Sequence, residues 1–303
     1  MNTAEMFDAN SEVCTSTHQI HPSIRLDEIK SHAGEVVVVK FGGNAIMNES
    51  VIDSLVNDTI TLVKAGIHVV VVHGGGTAVS EAIAATGKKT EKVNGLRVTD
   101  SETLEIAVKV FSDINQKLTA KLEEHGVSAL SFSSQSAIPI FTEKMGLIET
   151  ASNKVDLGWV GEVVAVEAGV LESWIFTGWI PVISPMGVDQ NGHFYNINAD
   201  QAALAVATTL KVDKLIFLTD VPGVLKNPQD KTSTISSLNP TEAQNYIDDG
   251  TITGGMLPKI KSCMAGLKAG VQKIAILNSF EPNALLRGFL TPESVGTLIV
   301  GSD

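Results

Sequence analysis

Two similar stretches, VVVVKFGGN over residues 36–44 and VVVVHGGG over 69–76, constrain the fold more than anything else in the chain. A run of four valines favours a strand covered on both faces, because β-branched side chains suit a pleated, buried surface. Each run ends in glycines, which let the backbone turn and approach a ligand with no Cβ in the way. Apolar positions at helical spacing follow: Val51, Ile52, Leu55 and Val56 after the first run, and Val79, Ile83 and Ala84 after the second. A strand, a glycine turn and a helix start bring free N–H groups and a positive dipole end to one point, which suits an anion. Lys40 stands at the mouth of the first such point. Two anion seats in adjoining βα units suit a reaction between two anions. Either motif alone is equally compatible with a plain tight turn. Neither matches a dinucleotide fingerprint, and Lys40 precedes its glycines, the reverse of the Walker A order.

The rest of the chain agrees with an α/β enzyme. At 303 residues it can form one large or two modest cores, with 44% hydrophobic and only 18% charged residues. A net charge of −12 argues against a general nucleic-acid binder, which needs a basic surface. Cys14 and Cys263 are far apart and in no metal-ligand spacing, so neither a disulfide framework nor a metal site is indicated, and a reduced, cytoplasmic setting fits. The first residues show no apolar leader core and carry acids where a transit peptide would carry arginines. No run approaches the roughly 18 apolar residues of a membrane helix, so no membrane partner is expected.

Read in order, residues 1–23 are polar and aperiodic, a mobile tail, and Ile24 to His32 reads as a short helix. Strands and helices then alternate: a helix to Lys64, a helix from Thr77, a hairpin-like region over 86–100, and a striped helix from Ser101 to His125. Residues 139–166 read as an antiparallel excursion. Asn196, Asn198 and Asp200 crowd the start of an alanine-rich helix, a place where such residues are commonly caps. The glycines at 254 and 255 read as a loop leading to a helix from Ile260. The alternation predicts an α/β fold, an open and mainly parallel sheet with helices on both faces, a three-layer sandwich. The boundary between an N-terminal lobe (24–190) and a C-terminal lobe (191–303) is placed near residue 190. Lys211 and Lys214 read as a solvated face, and Trp159, Trp174 and Trp179 as packing.

Taken together, VKFGGNAI (39–46), VVVHGGG (70–76), NGLRVTD (94–100), DLGWVGEV (156–163), PVISPMGVD (181–189), YNINADQAA (195–203), LTDVPGVL (218–225) and GGMLPKI (254–260) resemble the amino acid kinase family. The resemblance runs from about Ile24 to Gly301, and NGLRVTD with NINAD points to its acetylglutamate-phosphorylating branch. It implies transfer of the ATP γ-phosphoryl group to the side-chain carboxylate of N-acetyl-L-glutamate, a step of arginine and ornithine synthesis. It implies Lys40 and Lys259 as stabilisers of charge on the transferring and leaving phosphates, with Asp200 holding both ammonium groups. Gly42 and Gly43 would meet phosphate oxygens. Gly74 and Gly75 would hold the reacting carboxylate, Arg97 the α-carboxylate and Asn196 the acylated end. Thr219, Asp220, Gly223, Val224, Gly254, Gly255 and Met256 would wrap the nucleotide, with Mg2+ held mainly by the phosphates. His73 reads as orienting its loop rather than as a base, since a carboxylate nucleophile is already ionised at neutral pH.

Two stretches depart from the family pattern. SFSSQSAIP (131–139) replaces a glycine-rich loop, which puts acceptor choice in question. In NSFEPNALLRGFLT (278–291), Phe280 replaces an arginine and Gly288 an acid that arginine-inhibited members carry. A homodimer is expected, with weakened or altered arginine inhibition. The helix near Ile24 to His32 points further, to a hexamer. The rival readings are a kinase for a related acceptor such as N-acetyl-aminoadipate, and a weakly catalytic module that senses an amino acid or partners a PII-type signalling protein. Retention of Lys40, Asp200 and Lys259 counts against the module.

Overall fold

The computed structural model describes residues 21, 22, 24–150 and 153–301. The tail expected over 1–23 lies almost wholly outside the described residues, as does Cys14. A short helix, α1 (Leu26–Lys30), leads to β1 (Val36–Phe41), and a 3-10 turn over Gly43–Met47 separates β1 from α2 (Glu49–Lys64). β2 (His68–His73) runs into α3 (Gly76–Ala85). The hairpin of β3 (Lys92–Val93) and β4 (Leu96–Arg97) precedes α4 (Ser101–Glu124) and β5 (Ala129–Phe132). β6 (Ile140–Lys144), β7 (Ile148–Glu149), β8 (Lys154–Val155) and β9 (Gly161–Val166) form the antiparallel excursion, followed by α5 (Ala168–Ile175), β10 (Ile180–Ile183), β11 (Met186–Val188) and β12 (Phe194–Asn196). The remainder is α6 (Ala199–Thr209), β13 (Lys214–Thr219), β14 (Ser237–Leu238), α7 (Pro240–Asp248), α8 (Met256–Lys268), β15 (Lys273–Asn278), α9 (Ala284–Leu290) and β16 (Gly296–Val300).

Eight strands form one sheet in the order β14-β16-β15-β13-β1-β2-β10-β5. Its neighbours pair in parallel except β15 and β16. β1 lies at the centre, with Val38 opposite Leu215 on one side and Val70 on the other. Period-two alternation sorts its side chains. Val37, Val39 and Phe41 join the core beneath α2 and α9, while Val38 joins the core beneath α6 and α8. Lys40 therefore emerges on the α6 face at the carboxyl end of the sheet, where open α/β sheets bind ligands. The β1–β13 seam joins strands from either side of residue 190, and the sheet runs through it unbroken.

Three local readings are corrected. α8 begins at Met256, not Ile260, because a proline near a helix start costs no intrahelical hydrogen bond. Pro258 and Lys259 thus lie in its first turn. The first glycine pair opens a 3-10 turn rather than α2, whose own start is capped by Asn48 Oδ1, accepting from Ser50 N at 3.0 Å and Val51 N at 3.3 Å. Lys214 is no solvated residue: it is buried, ion-paired to Glu35 Oε2 at 2.8 Å, with its Nζ 3.7 Å from the centre of the Phe289 ring. It begins a strand beneath α9, which covers most of its side chain. Lys211 does remain exposed.

Candidate active site

Asp200 occupies the first turn of α6, and Asn198 is the cap, its Oδ1 accepting from Asp200 N at 2.8 Å and Gln201 N at 3.2 Å. That division of labour leaves the Asp200 carboxylate free to face the sheet. Its Oδ1 pairs with Lys40 Nζ at 3.0 Å from β1, and its Oδ2 pairs with Lys259 Nζ from α8. Burial pushes this carboxyl up, but the two ammonium groups outweigh it and hold the pKa down to about 2. One carboxylate between two lysines leaves a net positive site, suited to a polyanion.

The two glycine loops touch. A Cβ on Gly74 would stand 3.1 Å from Gly42 Cα, and Gly74 N donates to Phe41 O at 2.6 Å. Gly74 thus gives the site closeness, its own N–H being spent on β1. Gly75 has φ +155°, and a Cβ there would meet Ile114 and Phe111 at 2.8–3.0 Å, so any other residue is strained there. It caps α3 with no side-chain partner, which leaves the first N–H groups of α3 open. At the other loop, Asp220 Oδ2 accepts from Asn44 N at 3.0 Å.

Arg97, 8% exposed, lines the same cavity as Lys40. It donates to Thr90 Oγ1 at 3.1 Å, Gly76 O at 2.6 Å and Ser80 Oγ at 2.8 Å. Burial lowers its pKa. Among the described residues no carboxylate pairs with it. A buried guanidinium held by neutral acceptors alone is incomplete, and an anionic ligand completes it. Asn196 ends β12, its Nδ2 donating to Thr99 Oγ1 at 3.2 Å. Lys40, Gly43, Gly74, Gly75, Arg97, Asn196 and Asp200 line one cavity of about 280 Å3. Lys92, Phe111 and Val160 line it too. They come from hairpin, helix and excursion, and only the tertiary fold reveals them.

A second, more apolar cavity of about 260 Å3 is lined by Val221, Gly223, Val224, Leu225, Pro228, Thr251, Ile252, Thr253 and Met256. Gly223, Val224 and Met256 were singled out from the sequence. Thr219 ends β13 and Asp220 follows it, while Gly254 and Gly255 immediately precede α8, Gly255 as its N-cap. The loop 131–139 contributes to neither cavity among the described residues. It folds onto α4 instead, Ser134 Oγ lying 2.9 Å from Ser112 Oγ and Gln116 donating to Gln135 at 2.5 Å.

His73, at the end of β2, is fully buried, and its Nδ1 lies 2.7 Å from Gly74 O. Burial lowers its pKa to about 4, so the ring is neutral at pH 7, and the loop-orienting reading fits.

The chain matches the model described as "Amino acid kinase family" over residues 35–278. It is 40% identical over 275 residues to an acetylglutamate kinase of Methanothrix thermoacetophila, covering 90% of this chain and 95% of that protein. An acetylglutamate kinase of Methanocaldococcus jannaschii is also 40% identical, over 276 residues, covering 89% and 92%. Among solved structures, N-acetylglutamate synthase from Neisseria gonorrhoeae, complexed with coenzyme A and N-acetyl-glutamate, superposes with a TM-score of 0.78 at 24% identity. The match covers 91% of this chain and 62% of that one, a likeness of fold. The family match over most of the chain and these relatives show that the chain belongs to the amino acid kinase family.

Proposed function

We propose that the protein transfers the γ-phosphoryl group of ATP to the side-chain carboxylate of N-acetyl-L-glutamate, giving N-acetyl-L-glutamyl 5-phosphate for arginine and ornithine synthesis. The observation that carries this reading is one cavity lined by Lys40, by Asp200, which is also ion-paired to Lys259, and by a buried Arg97 that has no carboxylate partner among the described residues. The relatives named acetylglutamate kinase supply the acceptor.

Both reactants are anions, so the protein's work is alignment and charge stabilisation. Arg97 grips the α-carboxylate and Asn196 the acylated end, which aims the side-chain carboxylate at the α3 start, where Gly74 and Gly75 seat it. A carboxylate oxygen attacks phosphorus while the bond to the β-phosphate oxygen breaks. Lys40 and Lys259 stabilise the charge that develops on the transferring and leaving groups. Asp200 fixes both lysines and takes no proton. Gly42 and Gly43 admit the phosphates, and Thr219, Asp220, Gly223, Val224, Gly254, Gly255 and Met256 surround the rest of the nucleotide, its base in the apolar cavity. Magnesium enters with ATP. Both Asp200 oxygens are engaged by lysines, so the phosphates and waters would hold the metal, screening charge between the anions.

On this reading, residues 24–190 form the acceptor lobe and 191–303 the nucleotide lobe. The protein works in the cytoplasm as a homodimer, joined into a hexamer through α1, whose Leu26 is 41% exposed, and a PII-type protein is its regulatory partner. The N-acetyl-aminoadipate alternative drew on the 131–139 loop, which lines neither cavity. The test is Lys40→Ala. Turnover should fall on the order of a hundredfold or more, with acetylglutamate affinity changed far less. Equal losses in both would mark a binding module instead.

A further inference from the structure

The Gly74–Gly75 peptide carries the first open donor of the acceptor seat, and one side chain fixes its direction. In a trans peptide the C=O and the following N–H point opposite ways. Whatever pins Gly74 O therefore aims Gly75 N–H. His73 lies beneath the loop, wholly buried, with Nδ1 2.7 Å from that oxygen. A carbonyl accepts only, so the imidazole proton is on Nδ1. Among the described residues its Nε2 has no hydrogen-bond partner, although it too is buried. An orphaned acceptor is a cost that folding alone does not recommend. The other turnings of the peptide are blocked as well: Gly74 N is tied to Phe41 O, and Phe111 and Ile114 close on Gly75.

We propose that His73 is a positioning residue for the acceptor: as a neutral, Nδ1-protonated imidazole it pins the Gly74 carbonyl so that Gly75 N–H points into the cavity at the reacting carboxylate. The proposal rests on the phosphotransfer reading for the identity of that carboxylate, and on geometry alone for the tautomer. It differs from a packing role in what it demands of the side chain. Asparagine places its amide N–H where Nδ1–H stands, whereas glutamine reaches toward the Nε2 position.

The test compares His73→Asn, His73→Gln and His73→Ala in the full chain, with steady-state kinetics in each substrate and the thermal midpoint of each variant. Nitrogen-15 NMR of the wild-type imidazole at pH 7 accompanies it. His73→Asn should hold kcat/KM for N-acetylglutamate within about fivefold of wild type, while Gln and Ala lose on the order of tenfold or more, with KM for ATP little changed. Asparagine no better than glutamine, or equal losses for both substrates, would overturn the proposal. An imidazole protonated at Nε2, or at both nitrogens, would also overturn it, even if variants fail to fold. A wild type that phosphorylates no acceptor would fail the functional reading instead, and the NMR result would still judge the tautomer.

Discussion

His73 and Asp200 are tuned in ways that solution measurements can read. His73 has a folded pKa near 4 against 6.5 for a free imidazole. As pH falls through 6.5 the unfolded chain takes up a proton that the folded chain refuses until about pH 4. The stability this neutral ring contributes is therefore complete above pH 6.5 and is lost toward pH 4, a term of roughly 3 kcal/mol at most. Asp200, held at about 2, acts lower: its contribution is present above the ordinary carboxylate pKa and fades only as pH falls toward 2. Urea unfolding between pH 7 and 4.5 should show stability declining in wild type, with a clearly shallower decline in His73→Asn. Parallel profiles would contradict the assignment. At this scale the Lys40–Asp200–Lys259 cluster is legible because its members sit in short motifs, whereas the burial of Lys214 is not. A lysine is by default exposed, and the partners that bury it, Glu35 and Phe289, are remote in sequence.

The elements that matter most are helix starts, and they were legible to different degrees. α7 announces itself: Asn239 and Glu242 form a reciprocal capping box around Pro240 at the first position. What hides it in the sequence is its shortness and its few apolar residues, Ala243, Tyr246 and Ile247. α8 was started late because glycines and a proline imitate a loop. α9 has no local side-chain cap, and its start is held by Asp58 of α2, whose Oδ2 accepts from Leu285 N at 3.2 Å and whose Oδ1 accepts from Asn283 Nδ2 at 2.9 Å. Nothing near Ala284 in the sequence signals that partner. α3 begins at the proposed acceptor seat, and its glycine cap admits a sharp prediction. Gly75→Ala must adopt a disfavoured φ and displace Ile114 and Phe111. It should destabilise the chain by about 2 kcal/mol or more and raise KM for the acceptor far more than KM for ATP. Kinetics indistinguishable from wild type would show that this backbone is not the acceptor seat.

For the whole molecule, valine runs and strand-helix alternation were enough to specify a mainly parallel sheet with two covered faces. Period and burial set that class before any tertiary contact is known. The antiparallel β16 and the joining of β11 and β12 to the β6–β9 pair depend on pairings that short strands do not advertise. Regulation belongs to this scale too. At Gly288, where the family resemblance leads one to expect an acid in an arginine-inhibited member, a Cβ would stand 1.9 Å from Leu277 Cδ1. The backbone there cannot present a carboxylate to an arginine without repacking α9 on β15. Sedimentation velocity with and without arginine should therefore give one unchanged oligomer, and activity should respond to arginine only weakly. A hexamer that forms or tightens with arginine, together with strong inhibition, would contradict this.

The most direct test of the central claim is a hydroxamate assay for acyl phosphate, run with ATP and magnesium on N-acetyl-L-glutamate, N-acetyl-L-aminoadipate and free glutamate. Strong signal with N-acetyl-L-glutamate alone is the predicted result. Signal only with another acceptor would keep the phosphotransfer chemistry and contradict the acceptor, and no signal with any of the three would contradict the catalytic reading itself.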